Sequence, residues 1–422
     1  MPRSILLVSY FYAPNAGAGA HRPTSMAKYL RRMGHRVTVL TTAAWGSLPD
    51  DSTEGIVRAY DLQLARARLA GRTRMEADFA AGIYSDRPHP LSYVIPPEPS
   101  VVAWAPFALA RGARLQRHAP FDCVLTTSPI ESVHVVGYAL QRLGVPWVAD
   151  IRDGWVFESL RPEWPLRLQR RLDEWLEATT LGAADAVVAV HRALVDDLRT
   201  RHGIQAVHIS NGWDPDLLPA AEPYLDAMRR LLDPERVSLV HTGRLAAADR
   251  DPRPLLTALR ELATEEPDSA ARLELVIAGP TTEAELALLD ADLAPARVLL
   301  AGSVSRPEAI ALQRSADALL LLTAGTRTFE APGKLFEYLA AGKPIVALAE
   351  GNEAARILAE VGAGIACSPR DVGAIKAALL ELLTDGIEKG DPAAVERYTY
   401  PRLAEFMEAV VQQACSGAPG GR

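Results

Sequence analysis

Cysteine is scarce in this chain. Cys123, Cys367 and Cys415 stand far apart among 422 residues. Their number is odd and their spacing fits neither a disulfide framework nor a thiolate metal site. The nine histidines form no HExxH or comparable pair, so no metal-ligating residues are expected. No apolar run approaches the length of a membrane span, and no transmembrane helix is expected. Positive charge is not in excess: the net charge is −7 and the pI about 5.8. A broad nucleic-acid footprint is therefore not expected. The apolar stretch 4–12 follows Arg3 as a signal peptide would. Pro14, Asn15 and a glycine-rich loop come next, then a helix and another strand, so it reads as a folded start. A cytoplasmic placement is expected.

What remains is ordinary for a soluble globular protein, with 49% hydrophobic and 23% charged residues. The length exceeds one core of usual size and favours two domains. Both halves alternate strands and helices. The first predicts strands at 5–9, 36–41, 123–127, 146–150, 186–190 and 206–209, and helices at 23–33, 101–118, 132–143 and 165–180. The second predicts strands at 238–241, 274–278, 298–300, 318–322, 345–348 and 364–367. Residues 46–100 lose the alternation, are rich in proline, and read as a loop-rich excursion with some helix at 62–80, a cover for an acceptor site. The pattern predicts an α/β protein: two Rossmann-like domains, at 1–212 and 213–395, with parallel sheets facing a cleft. Ligands of such sheets bind at the C-terminal strand ends. That points to the loops at 13–21, 128–131, 152–155, 243–250 and 323–333.

Residues 329–346, FEAPGKLFEYLAAGKPIV, carry the most chemistry. Pro332 and Gly333 open a helix and Gly342 closes it. Amides at the helix start, of Gly333, Lys334 and Leu335, make a site for phosphate. Glu337 lies one turn on and can accept hydrogen bonds from sugar hydroxyls. Lys334 and Glu337 stand three apart, so a surface salt bridge between them is the plain alternative. Gly17 and Gly19 follow the first strand and allow close approach of an anion. They match GxGxxG only in part, because Arg22 holds the third glycine position. If that turn binds nothing, His21 and Arg22 are helix-start surface residues. Thr242-Gly243-Arg244 follows the first strand of the second half. Arg152 and Asp153 end a strand of the first. There, an internal ion pair or an N-cap competes with a functional role. The stretch with Arg161, Trp164, Arg167, Arg170, Arg171 and Trp175 reads as a basic aromatic helix able to touch an anionic membrane or a lipid-phosphate acceptor. Glu163, Asp173, Glu174 and Glu177 dilute it, and a solvated face is the alternative.

These segments, in this order, resemble the retaining GT-B glycosyltransferases of glycosyltransferase family 4. The resemblance runs from the first glycine-rich loop to the last helix, 396–415, which in such enzymes crosses back to the N-terminal domain. It implies transfer of a sugar from a nucleotide diphosphate-sugar, such as a UDP-sugar, to an acceptor hydroxyl, with retention, without a metal and without a cofactor. Arg244 matches an arginine that grips the diphosphate. The lysine that follows it in the family is missing; Arg250 is the best substitute and Arg253 a competitor. Gly17, Gly19 and Gly243 would meet the donor, His21 and Arg152 the acceptor, and Asp153 would polarise its hydroxyl. Asn211-Gly-Trp-Asp214 resembles the turn at the domain junction. Glu337 matches a ribose-binding glutamate. The glutamate expected eight positions earlier is Phe329, and Glu330 is its substitute. The acceptor is a small molecule, a glycan or a lipid-linked molecule, and peripheral contact with the inner membrane face is an added expectation. A GT-B nucleotide-sugar epimerase and a catalytically inactive partner subunit remain as alternatives.

Overall fold

A computed structural model describes the chain apart from residues 14, 16, 45–54, 63–93, 160, 162, 247–249, 290–292, 385 and 418–422. It divides into two compact units, Met1–Ser210 with Tyr400–Arg422, and Asn211–Thr399.

The first unit holds a seven-stranded parallel sheet. Its strands are β1 (Ser4–Ser9), β2 (Arg36–Thr42), β3 (Ile56–Ala59), β4 (Cys123–Thr127), β5 (Trp147–Ile151), β6 (Ala186–Ala189) and β7 (Ala206–His208). Their order is β3-β2-β1-β4-β5-β6-β7. Both faces are covered, which is why the strands are continuous apolar runs. Along β1, Leu6 and Val8 join Trp104, Val136 and Trp147 on one face. Ile5 and Leu7 join Met26, Leu30, Leu403 and Met407 on the other. The last two belong to the C-terminal helix Tyr400–Gly417, which is part of this unit.

The second unit holds a six-stranded parallel sheet ordered β10-β9-β8-β11-β12-β13. The strands are β8 (Val237–Thr242), β9 (Leu273–Ala278), β10 (Arg297–Gly302), β11 (Ala318–Leu322), β12 (Ile345–Leu348) and β13 (Gly364–Cys367). Leu319 and Leu321 pack with Phe336 and Ile357 on one face. Leu320 and Leu322 pack with Leu259 and Leu379 on the other. Strand order reverses between β1 and β4 in one unit and between β8 and β11 in the other. In open α/β sheets ligands bind at such reversals, outside the C-terminal strand ends.

Three sequence expectations are corrected. The stretch read as a loop-rich excursion contributes strand β3, paired with β2. The helix expected at 62–80 lies almost wholly outside the described residues. The helix expected at 101–118 is two, Ser100–Ala103 and Ala105–His118, broken at Trp104. Pro106 cannot supply an N–H there and disfavours helical geometry just before it.

The third correction concerns the first helix. It spans Ala18–Arg32, not 23–33, so Gly19, His21 and Arg22 lie within its opening turns. Pro23 sits inside it and lacks the N–H that would bond the carbonyl of Gly19. Arg152 Nη1 takes that carbonyl instead, at 2.6 Å. Proline favours a helix start, but here a distant arginine satisfies the carbonyl that Pro23 leaves bare.

Candidate active site

In the second unit the loop after β8 is fixed from three sides. Gly243 donates to Ala278 O at 2.6 Å, with a φ of +98°. Arg244 O lies 3.1 Å from His241 Nε2. Ala246 N donates to Glu285 Oε1 at 2.7 Å. The backbones of Gly243 and Gly279 touch: a Cβ on Gly279 would stand 2.6 Å from Gly243 atoms. Beneath the loop, Thr242 N donates to Tyr338 Oη at 3.0 Å, and Gln313 Nε2 donates to Thr242 Oγ1 at 3.0 Å.

The loop after β11 supplies the opposite wall. Glu330 Oε2 accepts from Ala324 N at 2.8 Å, and its Oε1 lies 4.0 Å from Arg250 Nε. Arg250 Nε is buried and has no hydrogen-bond partner among the described residues. Buried donors are seldom left so, and one beside a carboxylate it does not bond can take up an anion. The helix Gly333–Ala341 follows, its start uncapped by any side chain. Leu335 N is already bonded to Pro332 O at 2.9 Å, and its side chain is fully buried. Gly333 and Lys334 are left as the first-turn donors among the described residues.

Lys334 is the convergence point. A Cβ on Gly243 would sit 2.6 Å from Lys334 Nζ, so the glycine gives the ammonium its place. Burial, and then Arg250, push the Lys334 pKa down to about 7, with Glu337 opposing. Burial also pulls the Arg250 guanidinium down; Glu330 and Tyr338 oppose, and Arg244 adds to the fall. His241, behind the loop, is pushed to about 3 by burial and then by Lys334, with Arg250 adding a smaller push. Burial holds the Tyr338 phenol up at about 12. Three cations, Arg244, Arg250 and Lys334, therefore gather where the loops after β8 and β11 part. Such a cluster lowers its own repulsion by taking an anion.

Glu337 does not pair with Lys334. Arg306 Nη2 donates to its Oε1 at 2.8 Å. Arg306 opens the helix Arg306–Ser315, whose Ser305 and Glu308 form a capping box. The sequence reading missed Arg306, Tyr338 and His241. Arg253 is far more exposed and paired with Asp251 at 2.6 Å.

In the first unit, Arg22 is not a surface residue. It is fully buried, donates to Asp150 through Nε and Nη2, each at 2.8 Å, and bonds the carbonyls of Ser210 and Ile209. Arg152 N donates to Ser128 Oγ at 2.9 Å, and its side chain reaches Gly19 O. Burial pulls the Arg152 guanidinium down, with Asp153 opposing. Gly17 N donates to Asn15 Oδ1 at 2.8 Å. A Cβ on Gly19 would meet the Phe11 ring at 3.1 Å. His21 and Asp153 are half-buried. The structure thus brings Gly19, Arg152 and Ser128 together at the β1/β4 reversal, with Asp153 next in the chain. Trp213 of the Asn211–Asp214 turn bonds the carbonyl of Tyr398.

The basic aromatic helix is also corrected. The helix is Arg167–Gly182, and Arg161 and Trp164 precede it. Both donate to Asp173, at 2.9 and 2.8 Å, so they brace the unit.

Residues 24–217 match the model of Glycosyltransferase Family 4, and residues 236–385 match that of Glycosyl transferases group 1. The chain is a GT-B protein of the glycosyltransferase family 4 kind. Among solved structures it is similar to a sucrose-phosphate synthase from Thermosynechococcus elongatus, with 17% identity, a TM-score of 0.67, and 97% of this chain and 98% of that one covered. An α,α-trehalose-phosphate synthase (UDP-forming) from Burkholderia vietnamiensis gives 16%, 0.65, 99% and 100%. A glycosyltransferase from Rickettsia africae gives 14%, 0.65, 99% and 99%. At these identities the likeness is one of fold. No curated protein matches the sequence.

Proposed function

We propose that the chain is a glycosyltransferase that moves a sugar from a nucleotide diphosphate-sugar to an acceptor hydroxyl, with retention and without a metal. The observation that carries this reading is the cluster of Arg244, Arg250 and Lys334 beside the amides of Gly333 and Lys334. A diphosphate would lie against it. Glu337, held by Arg306, would take the ribose hydroxyls through the rest of its carboxylate. Glu330, which accepts from Ala324 N, would serve the sugar in place of the missing glutamate. A UDP-sugar is the favoured donor, since three similar structures are described as UDP-forming.

In the reaction the bond from the anomeric carbon to the diphosphate oxygen breaks. The acceptor oxygen bonds that carbon on the same face, and its proton passes to the leaving phosphate. Charge grows on the diphosphate as this happens, and prearranged cations and amides stabilise it where it grows. Asp153 would orient the acceptor hydroxyl, and His21 would line its approach. Arg152, whose Nη1 holds the Gly19 carbonyl, would meet the acceptor beside it.

A panel of UDP-, GDP- and dTDP-sugars tests the reading. Slow donor hydrolysis, or transfer to an added acceptor, supports it. Release of an epimerised sugar would make the protein an epimerase. Failure to bind any nucleotide would leave a non-catalytic subunit.

A further inference from the structure

Cys123 opens strand β4, and its side chain joins Ile5, Leu7 and Leu125 on the sheet face that the C-terminal helix covers. Successive side chains of a strand alternate, and Val124 goes to the opposite face. Cys415 stands near the end of the helix Tyr400–Gly417 and packs against the same cluster as Cys123. Its Sγ lies 3.4 Å from the carbonyl oxygen of Asp122, which belongs to the peptide bond leading into Cys123. Two thiols far apart in the chain therefore meet where the helix end passes the start of β4, and they share a hydrogen bond.

The two are not equivalent. Cys123 is fully buried, while Cys415 is partly exposed. The hydrogen bond from Cys123 pulls the Cys415 thiol down to about 7; burial opposes, Arg3 assists, and Asp122 and Asp185 oppose. The same bond, and then burial, push the Cys123 thiol up. The thiolate is the nucleophile of cysteine chemistry, so attack starts at Cys415. A reactive, accessible thiol with a second thiol against it is the arrangement of a redox-sensing pair. Cys367, in the second unit, is different: burial pushes its thiol up to about 11.

We propose that Cys123 and Cys415 form a reversible disulfide when a peroxide reaches Cys415, stapling the C-terminal helix to strand β4. The Cys415 thiolate attacks one oxygen of hydrogen peroxide. The O–O bond breaks, hydroxide leaves, and Cys415 becomes a sulfenic acid. The Cys123 sulfur then attacks the Cys415 sulfur. The S–S bond forms and the S–O bond breaks. The leaving hydroxide takes the Cys123 proton and departs as water. The two cysteines together lose two electrons, and the peroxide is reduced to two waters. A dithiol reductant returns both electrons and restores the thiols. Cys123 lies at the start of β4, and the loop of Ser128 follows the end of that strand. The pair thus sits at the opposite end of the sheet from the candidate site, and the proposal does not depend on the reaction above.

The test treats the intact protein with hydrogen peroxide, blocks the remaining thiols with N-ethylmaleimide, and maps the peptides by mass. A cross-link between the peptides of Cys123 and Cys415 is expected, two hydrogens lighter than the separate pair and undone by dithiothreitol. Cys367 should carry the maleimide. In Cys123→Ala the reaction should stop at the sulfenic acid of Cys415, which dimedone captures. In Cys415→Ser, Cys123 should survive the same peroxide unchanged. The oxidised parent should melt about 5–10 °C above the reduced one, because the cross-link restrains the unfolded chain. Dithiothreitol should reverse that rise. Oxidation of Cys415 in the parent without a cross-link to Cys123 would overturn the proposal. So would a cross-link between two chains through Cys415, three cysteines equally open to maleimide after peroxide, or a cross-linked protein that melts no later than the reduced one.

Discussion

Arg22 grips Asp150 with two parallel bonds of 2.8 Å each, and both side chains are buried. The pair joins the first helix to the end of β5, and Thr127 Oγ1 adds a third bond to Asp150 at 2.7 Å. The arginine also satisfies the carbonyls of Ile209 and Ser210, where the first unit's main segment ends. Removing one partner of such a pair strands a charge in a dry interior. Arg22→Ala should cost about 3–5 kcal/mol of stability, read from urea unfolding of the whole chain. Arg22→Lys should recover part, since it keeps the charge but not the fork. An alanine variant as stable as the parent would show that Asp150 is relieved by another group.

Lys334 gives a pH-dependent prediction. Its pKa in the empty protein is depressed to about 7. A diphosphate against it favours the charged form and raises that value. At about pH 6 the ammonium is charged with or without ligand, and this group takes up no proton. At about pH 8 it is largely neutral when empty and charged when filled, so binding should take up close to one proton. Affinity should therefore fall as pH rises above about 7, by at most about tenfold per unit. A nucleotide-sugar is the right probe, because its diphosphate is a diester and does not titrate near neutrality. Calorimetry in buffers of different ionisation enthalpy measures the uptake. Uptake that persists unchanged in Lys334→Met would assign the proton elsewhere.

The sheets were legible because buried parallel strands are apolar on both faces. Strands β4, β11, β12 and β13 fall on the expected residues. β3 was not legible: it is a short edge strand, Ile-Val-Arg-Ala, beside only one neighbour. The cation-rich loops could be placed because glycine and proline mark strand-to-helix turns. What a polar side chain touches across the fold could not. The burial of Arg22 has no local signal, because its partner Asp150 lies 128 positions away. A Lys334–Glu337 pair stands as the plain alternative in the sequence, because three positions is helical reach. Arg306, 31 positions distant, takes that carboxylate instead.

That arrangement separates two variants. Glu337→Ala removes the proposed ribose contact and should weaken nucleotide binding by about 1.5–3 kcal/mol, the scale of a charge-assisted hydrogen bond. Arg306→Ala leaves the carboxylate present but no longer held, so its loss should be smaller. Arg306→Lys should bind nearly as well as the parent. Titration calorimetry with the preferred nucleotide diphosphate gives all three. If Arg306→Ala weakens binding more than Glu337→Ala does, the arginine itself touches the ligand.

Arg244 and Arg250 should act mainly on the transition state. Both lie on or beside the loop after β8, with Lys334, where a diphosphate would sit. The bound diphosphate already attracts them, and the attraction grows as the glycosidic bond breaks and charge moves onto the leaving group. Arg244→Ala and Arg250→Ala should each lower kcat by roughly 10²–10³-fold, the effect of losing one prearranged donor. KM should change less. Arg244→Lys should rescue only in part, because lysine cannot form two parallel bonds to phosphate. Arg253 provides the internal control. It is exposed and already paired with Asp251, so Arg253→Ala should turn over normally. Steady-state kinetics of the four variants decide between two assignments. If Arg250→Ala is silent and Arg253→Ala is slow, the loop must rearrange around the donor and the second cation moves three residues along the chain. If both are silent, Lys334 alone accompanies Arg244 at the diphosphate.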